Sequence, residues 1–134
     1  MTSEIIYQGA LRCAATHSKS GTVISTDAPL DNKGKGAAFS PSDLLGAALG
    51  TCIITTIGIK TDDWEESFEG TRIEVVKTMM QEPRRVGELK VDIYLPKDLA
   101  LDEKKRQIVE RIAHQCPVAK SLHPDLKQVI TFHW

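Results

Sequence analysis

Three cysteines, Cys13, Cys52 and Cys116, carry the reactive potential of this chain, and their spacing fits neither paired zinc knuckles nor a redox C-x-x-C pair. Chemistry at any of them needs the thiolate, so the surroundings must pull the thiol pKa down from about 8.5. Cys52 stands in a stretch without a charged residue between Asp43 and Lys60, where burial pushes the pKa up instead. It also lies beyond the first helical turn, outside the useful range of the helix dipole. Two readings stay open: a small buried hydrophobe, as free cysteine usually is, or a nucleophile reached by a cation from another segment. Cys116 precedes Pro117 and is placed to open a short helix through Leu122, whose free backbone N–H groups would favour a thiolate modestly. Cys13 follows Arg12 on an expected strand, so the two side chains point to opposite faces and Cys13 reads as structural if Arg12 faces a reactive site. His17, His114, His123 and His133 have neither zinc-site spacing nor an H-E-x-x-H pattern, so no metal is expected.

The elements that must position these residues are legible in part. Residues 3–30 alternate apolar and polar side chains in short runs broken by Ser-Gly and Asp-Ala-Pro, which predicts strands and tight turns. Ser40-Pro41-Ser42-Asp43 predicts a helix start, with an N-cap serine, proline at the first position and an acid three residues after the cap. The uncharged stretch that follows predicts a helix buried on all sides, about 16 residues long and so short of a bilayer span. Its small residues Gly46, Ala47, Ala48, Gly50 and Thr51 would let another helix approach, and a chain of this size could not cover it alone, which predicts a homodimer. Residues 71–79 and 87–95 alternate charge and apolar bulk as half-exposed antiparallel strands do. Asp102 caps a second helix with Ile108, Val109, Ile112 and Ala113 inward, and Pro117 stops it. Val129 to Phe132 closes the chain as a strand. The order predicts an α+β fold with antiparallel sheets, not a repeating βαβ unit.

The whole composition narrows the function further. A length of 134 residues fits one domain, taken as 1–134. Net charge is −1 with the signs interleaved, so there is no basic stripe for a nucleic-acid backbone. The amino terminus lacks a basic region followed by an apolar one, so the expectation is a cytoplasmic protein without membrane contact. Asn32-Lys33-Gly34-Lys35-Gly36 lacks the strand-to-helix context of a phosphate-cradling loop, and no cofactor is expected.

Phe39 to Cys52, followed far downstream by Ala113-His114-Gln115-Cys116-Pro117-Val118, resembles the superfamily of osmotically inducible protein C and organic hydroperoxide resistance protein (OsmC/Ohr). The resemblance implies an intertwined homodimer in which antiparallel sheets wrap buried central helices. It also implies a thiol-dependent peroxidase that reduces organic hydroperoxides in oxidative-stress defence. Cys52 then matches the peroxidatic cysteine, Cys116 the resolving cysteine, and a dithiol reductant, lipoyl-bearing in several relatives, restores the pair. Arg12 matches the arginine of the amino-terminal strands set against the reactive sulfur, where its permanent charge would stabilise a thiolate. One position departs from the pattern: Ser42 stands where better-studied branches carry a glutamate that orients this arginine. Asp43 cannot substitute within one helix, because it points about 180° away from Cys52 and about 13 Å along the axis. The alternative to an enzyme is a catalytically slow dimeric binding module for a small apolar ligand. A Cys/His hydrolase has no Cys–His–acid triad to support it.

Overall fold

Ser40 and Asp43 start the central helix by capping each other across Pro41: the Ser40 N–H donates to Asp43 Oδ2 at 2.9 Å and the Asp43 N–H donates to Ser40 Oγ at 3.1 Å. In the computed structural model, which describes residues 1–134, this helix, α1, runs Pro41–Lys60. At 20 residues and a mean hydropathy of 1.5 it is long and apolar enough to cross a bilayer, which corrects the shorter expectation. Within the chain it instead buries one face, formed by Gly46, Leu49, Gly50, Ile53 and Ile57. Thr51, Thr55, Gly58 and Ile59 on the other side are exposed, so a single chain does not bury the helix on all sides.

The chain divides into two compact units, Met1–Leu45 and Gly46–Trp134, with the boundary inside α1. The first unit is a three-stranded antiparallel sheet of β1 (Ser3–Gly9), β2 (Arg12–His17) and β3 (Val23–Asp27) in sequential order. Cross-strand partners include Ile5 with Ala15, Ala15 with Ile24, and Arg12 with Asp27.

The second unit contains β4 (Arg72–Gln81) and β5 (Arg84–Tyr94), an antiparallel hairpin turning at Glu82-Pro83, where the peptide bond is cis. Two helices follow, α2 (Glu103–Ala113) and α3 (Pro117–Ser121), and then β6 (Lys127–His133). β6 pairs with β5 in parallel, so this sheet is mixed and the all-antiparallel expectation is corrected. The physical reason is the connection: the chain travels through α2 and α3 between the two strands, and such a crossover returns the chain in the same direction. β5 is the middle strand, and Val91, Asp92 and Ile93 are buried in succession as a strand covered on both faces requires.

The core of this unit joins Leu49, Ile53 and Ile57 of α1 to Leu89, Val91 and Ile93 of β5 and Val109 and Ala113 of α2. Gly46 and Gly50 belong to that packing, not to a helix contact. A Cβ on Gly46 would meet Val75 at 3.0 Å and Leu89 at 3.3 Å, and one on Gly50 would meet Val75 at 3.2 Å and Ile73 at 3.3 Å. The glycines let α1 settle directly on the sheet. Asp102 caps α2, accepting from the Lys105 N–H at 2.8 Å, and Ile112 and Ala113 are buried beside Val109 as the periodicity predicts, with Ile108 only half-buried.

Candidate redox site

α1 places Cys52 beside the fully buried Ile53, itself half-buried. Thr56, one turn on, donates its hydroxyl to the Cys52 carbonyl at 2.7 Å, and its oxygen lies 4.0 Å from Cys52 Sγ. The second thiol is fixed by proline chemistry. Cys116 takes the extended backbone that precedes Pro117, with ψ of 147°, which ends the run from α2 and makes it the N-cap of α3. Its sulfur accepts from the Ala119 N–H at 3.4 Å, and the residue is 0% exposed.

The two thiols act on each other: Cys52 is among the groups that shift the Cys116 pKa. Burial pushes the Cys116 pKa above its ordinary value, the Ala119 N–H opposes this, and both the hydrogen bond to Cys52 and the charge of a Cys52 thiolate push it up again. This corrects the expectation that the start of α3 would favour a Cys116 thiolate, because the loss of solvent outweighs the N–H groups of Ala119 and Val118. Burial and the neighbouring Cys52 thus both favour the protonated form of Cys116.

Arg12 lies in the amino-terminal unit at the first position of β2, exposed, with Asp27 as its cross-strand partner. Cys13 is half-buried and reduced, paired across the sheet with Tyr7 and Thr26. His114 ends α2 through its backbone, its N–H donating to the Ile112 carbonyl, and it is not among the groups that shift Cys116. No group of three or more His, Cys, Asp or Glu side chains is arranged to hold a metal ion.

A mixed sheet packed on a long apolar helix, with one thiol on that helix and a second capping the helix that follows α2, defines an α+β protein with two thiols on its helices. The family model described as OsmC-like protein matches residues 34–130, and the chain belongs to this OsmC/Ohr superfamily. No curated protein matches it in sequence. Among solved structures, a Psychrobacter arcticus 273-4 protein named for osmotic stress induction and a detoxification response is 48% identical, with a TM-score of 0.94 over 99% of this chain and 96% of that one. The organic hydroperoxide resistance protein OhrB of Bacillus subtilis is 17% identical, with a TM-score of 0.70 over 99% of this chain and 98% of its own. An organic hydroperoxide resistance protein OsmC from Legionella pneumophila is 15% identical, with a TM-score of 0.74 over 100% and 98%. The last two likenesses establish the shared fold.

Proposed function

We propose that this protein is a thiol-dependent peroxidase that reduces organic hydroperoxides. What supports the reading is the pair of thiols: a fully buried Cys116, its pKa raised by burial and by Cys52, and a more accessible Cys52 on α1. The Cys52 thiolate attacks the terminal peroxide oxygen. The O–O bond breaks, the alkoxide leaves with a proton as the alcohol, and Cys52 becomes a sulfenic acid. Cys116 then attacks that sulfur, forming a disulfide and releasing water. A dithiol, of which a lipoyl group is one chemical example, returns both cysteines to thiols by two exchanges and is itself oxidised.

Arg12 is assigned the charge that favours the thiolate and the developing alkoxide. The working protein is read as a homodimer, because apolar residues stand exposed on both faces of the β1–β3 sheet: Ile5 and Ile24 on one, Ile6 and Val23 on the other. A reducing compartment such as the cytoplasm suits a chain whose three cysteines are free.

The test is stoichiometric. Treating reduced protein with one equivalent of an alkyl hydroperoxide should lower the titratable thiols from three to one, leaving Cys13. Cys52→Ser should abolish peroxide consumption, and Cys116→Ser should stop at a trappable sulfenic acid. Retention of all three thiols together with a co-purifying small apolar ligand would instead mark the binding module.

A further inference from the structure

Asp27 is the most deeply buried carboxylate of the chain, 1% exposed at the end of β3. Its Oδ2 accepts the Ala37 N–H at 3.0 Å, while Oδ1 is buried and has no hydrogen-bond partner. Burying a carboxylate oxygen without a donor is costly, and folded proteins seldom leave one so. The register names the nearest cation. Arg12 and Asp27 are direct cross-strand partners, and the Ala28 N–H donates to the Leu11 carbonyl at 3.2 Å. That bond flanks the pair, so Arg12 and Asp27 form a non-hydrogen-bonded position of the ladder, the kind whose Cα atoms stand about 4.5 Å apart and whose side chains share one face. The Asp27 N–H points the other way, to the Phe39 carbonyl at 3.1 Å. The other carboxylate on this face, Glu4, is opposite Thr16, about 13 Å along the strand from Arg12. Arg12 is exposed and makes no ion pair in the single chain, well within side-chain reach of Oδ1.

We propose that Asp27 is the positioning residue for Arg12: Oδ1 takes one edge of the guanidinium and holds its plane. The other edge of the fork keeps its N–H donors free for a second anion. This inference rests on the peroxidase reading above for its consequence, though the pairing itself can be observed without turnover. An arginine suits the task because its fork can serve a carboxylate along one edge and another anion along the other. The Ala37 N–H fixes Asp27 from behind, so the carboxylate is rigid before Arg12 docks.

The experiment compares full-length wild type, Arg12→Ala, Asp27→Asn and the double variant, each reduced and mixed with an alkyl hydroperoxide under single-turnover conditions. Asp27→Asn keeps an oxygen for the Ala37 N–H but removes the charge. The expected result is a fall of about tenfold or more in the second-order rate constant for Asp27→Asn. In the Arg12→Ala background the same change should add less than about twofold, because the two residues act as one unit. A purely structural role for Asp27 would multiply with Arg12→Ala, and that outcome, or a wild-type rate in Asp27→Asn, overturns the proposal while the peroxidase reading stands. The nitrogen-15 resonance of Arg12 Nε supplies the second readout: a slowly exchanging Nε–H in wild type that is lost in Asp27→Asn supports the pair. If wild type fails to consume hydroperoxide, the peroxidase reading is the one that falls. An Arg12 Nε–H in wild type that exchanges as freely as those of solvated arginines then overturns the pairing too.

Discussion

The two sheets of this protein have three strands each and opposite relations to water. In the β4–β6 sheet the middle strand is covered by its own chain, with Leu89, Val91 and Ile93 all at 0% exposure. In the β1–β3 sheet, Ile5 and Tyr7 remain 60% and 63% exposed, and exposed apolar residues occur on both faces. The local sequence patterns are similarly strand-like, so the difference does not arise from β propensity. It arises from what the chain supplies as cover: α1 and α2 contribute Leu49, Ile53, Ile57 and Val109 to the core shared with β5. The lesson is that the carboxyl-terminal unit is a complete small core, whereas the amino-terminal sheet presents surface suited to a second copy.

The largest expected effect breaks the complete half. Leu89→Ala removes a fully buried side chain from beneath Gly46 and should cost about 2–5 kcal/mol in urea unfolding. Ile5→Ala, on the exposed sheet, should cost well under about 1 kcal/mol at protein concentrations where the chain is monomeric. Equal costs would erase the contrast between the sheets.

The next effect sharpens the other half. Ile5→Asp combined with Ile24→Asp places two carboxylates on one face of the β1–β3 sheet, in cross-strand line through Ala15. Self-association measured by sedimentation should weaken by about a hundredfold or more, roughly 2.7 kcal/mol, because charge buried in an interface is heavily penalised. Far-UV circular dichroism should stay close to wild type. Unchanged association would show that this face is not where copies meet. A smaller, local effect is expected at Asp102→Ala, which deletes the acceptor for the Lys105 N–H and should cost about 1 kcal/mol without altering association.

What the sequence disclosed and what it concealed follow from range. The caps at Ser40, Asp102 and Cys116 were readable because each depends on residues within three positions of itself. The direction of β6 was not, because pairing with β5 depends on a long connection and not on the strand's own residues. Gly46 and Gly50 announced a close approach but not its partner, which is a sheet and not a helix. Of the candidate site, the type and local setting of each cysteine were legible. The pairing of Cys52 with Cys116 is implied only by the resemblance, since no spacing rule joins two distant segments. Asp27 reads locally as a turn residue before Ala28-Pro29. The available signal was strand alternation, which puts Asp27 on the face opposite that of Thr26 and the same as that of Arg12 once register is known.

The smallest expected effect concerns pH and belongs to the complete half alone. Lys105, on α2, pairs with Glu66 and lies over the Trp64 ring, its ammonium 5.0 Å from the ring centroid. The hydrogen bond from Lys105 holds the Glu66 carboxyl below its ordinary value of 4.5, and the same bond raises Lys105 above 10.5. A depressed acid contributes stability above its unfolded pKa and loses it as pH falls through the folded value. A raised base contributes below its unfolded pKa and loses it as pH rises through the folded value. The pair therefore stabilises fully between about pH 5 and pH 10 and fades at both ends. Both groups are partly solvated, so the contribution is modest and shrinks further in salt. The difference in Tm between wild type and Glu66→Gln should be present at pH 7, fall towards zero as pH drops well below 4.5, and narrow in 1 M salt. Asp92 also titrates there, held low first by its bond to His133 and then by Lys90, but it is common to both proteins and cancels in the difference. A difference that stays constant down to acid pH would mean that Glu66 acts through packing and not through its charge.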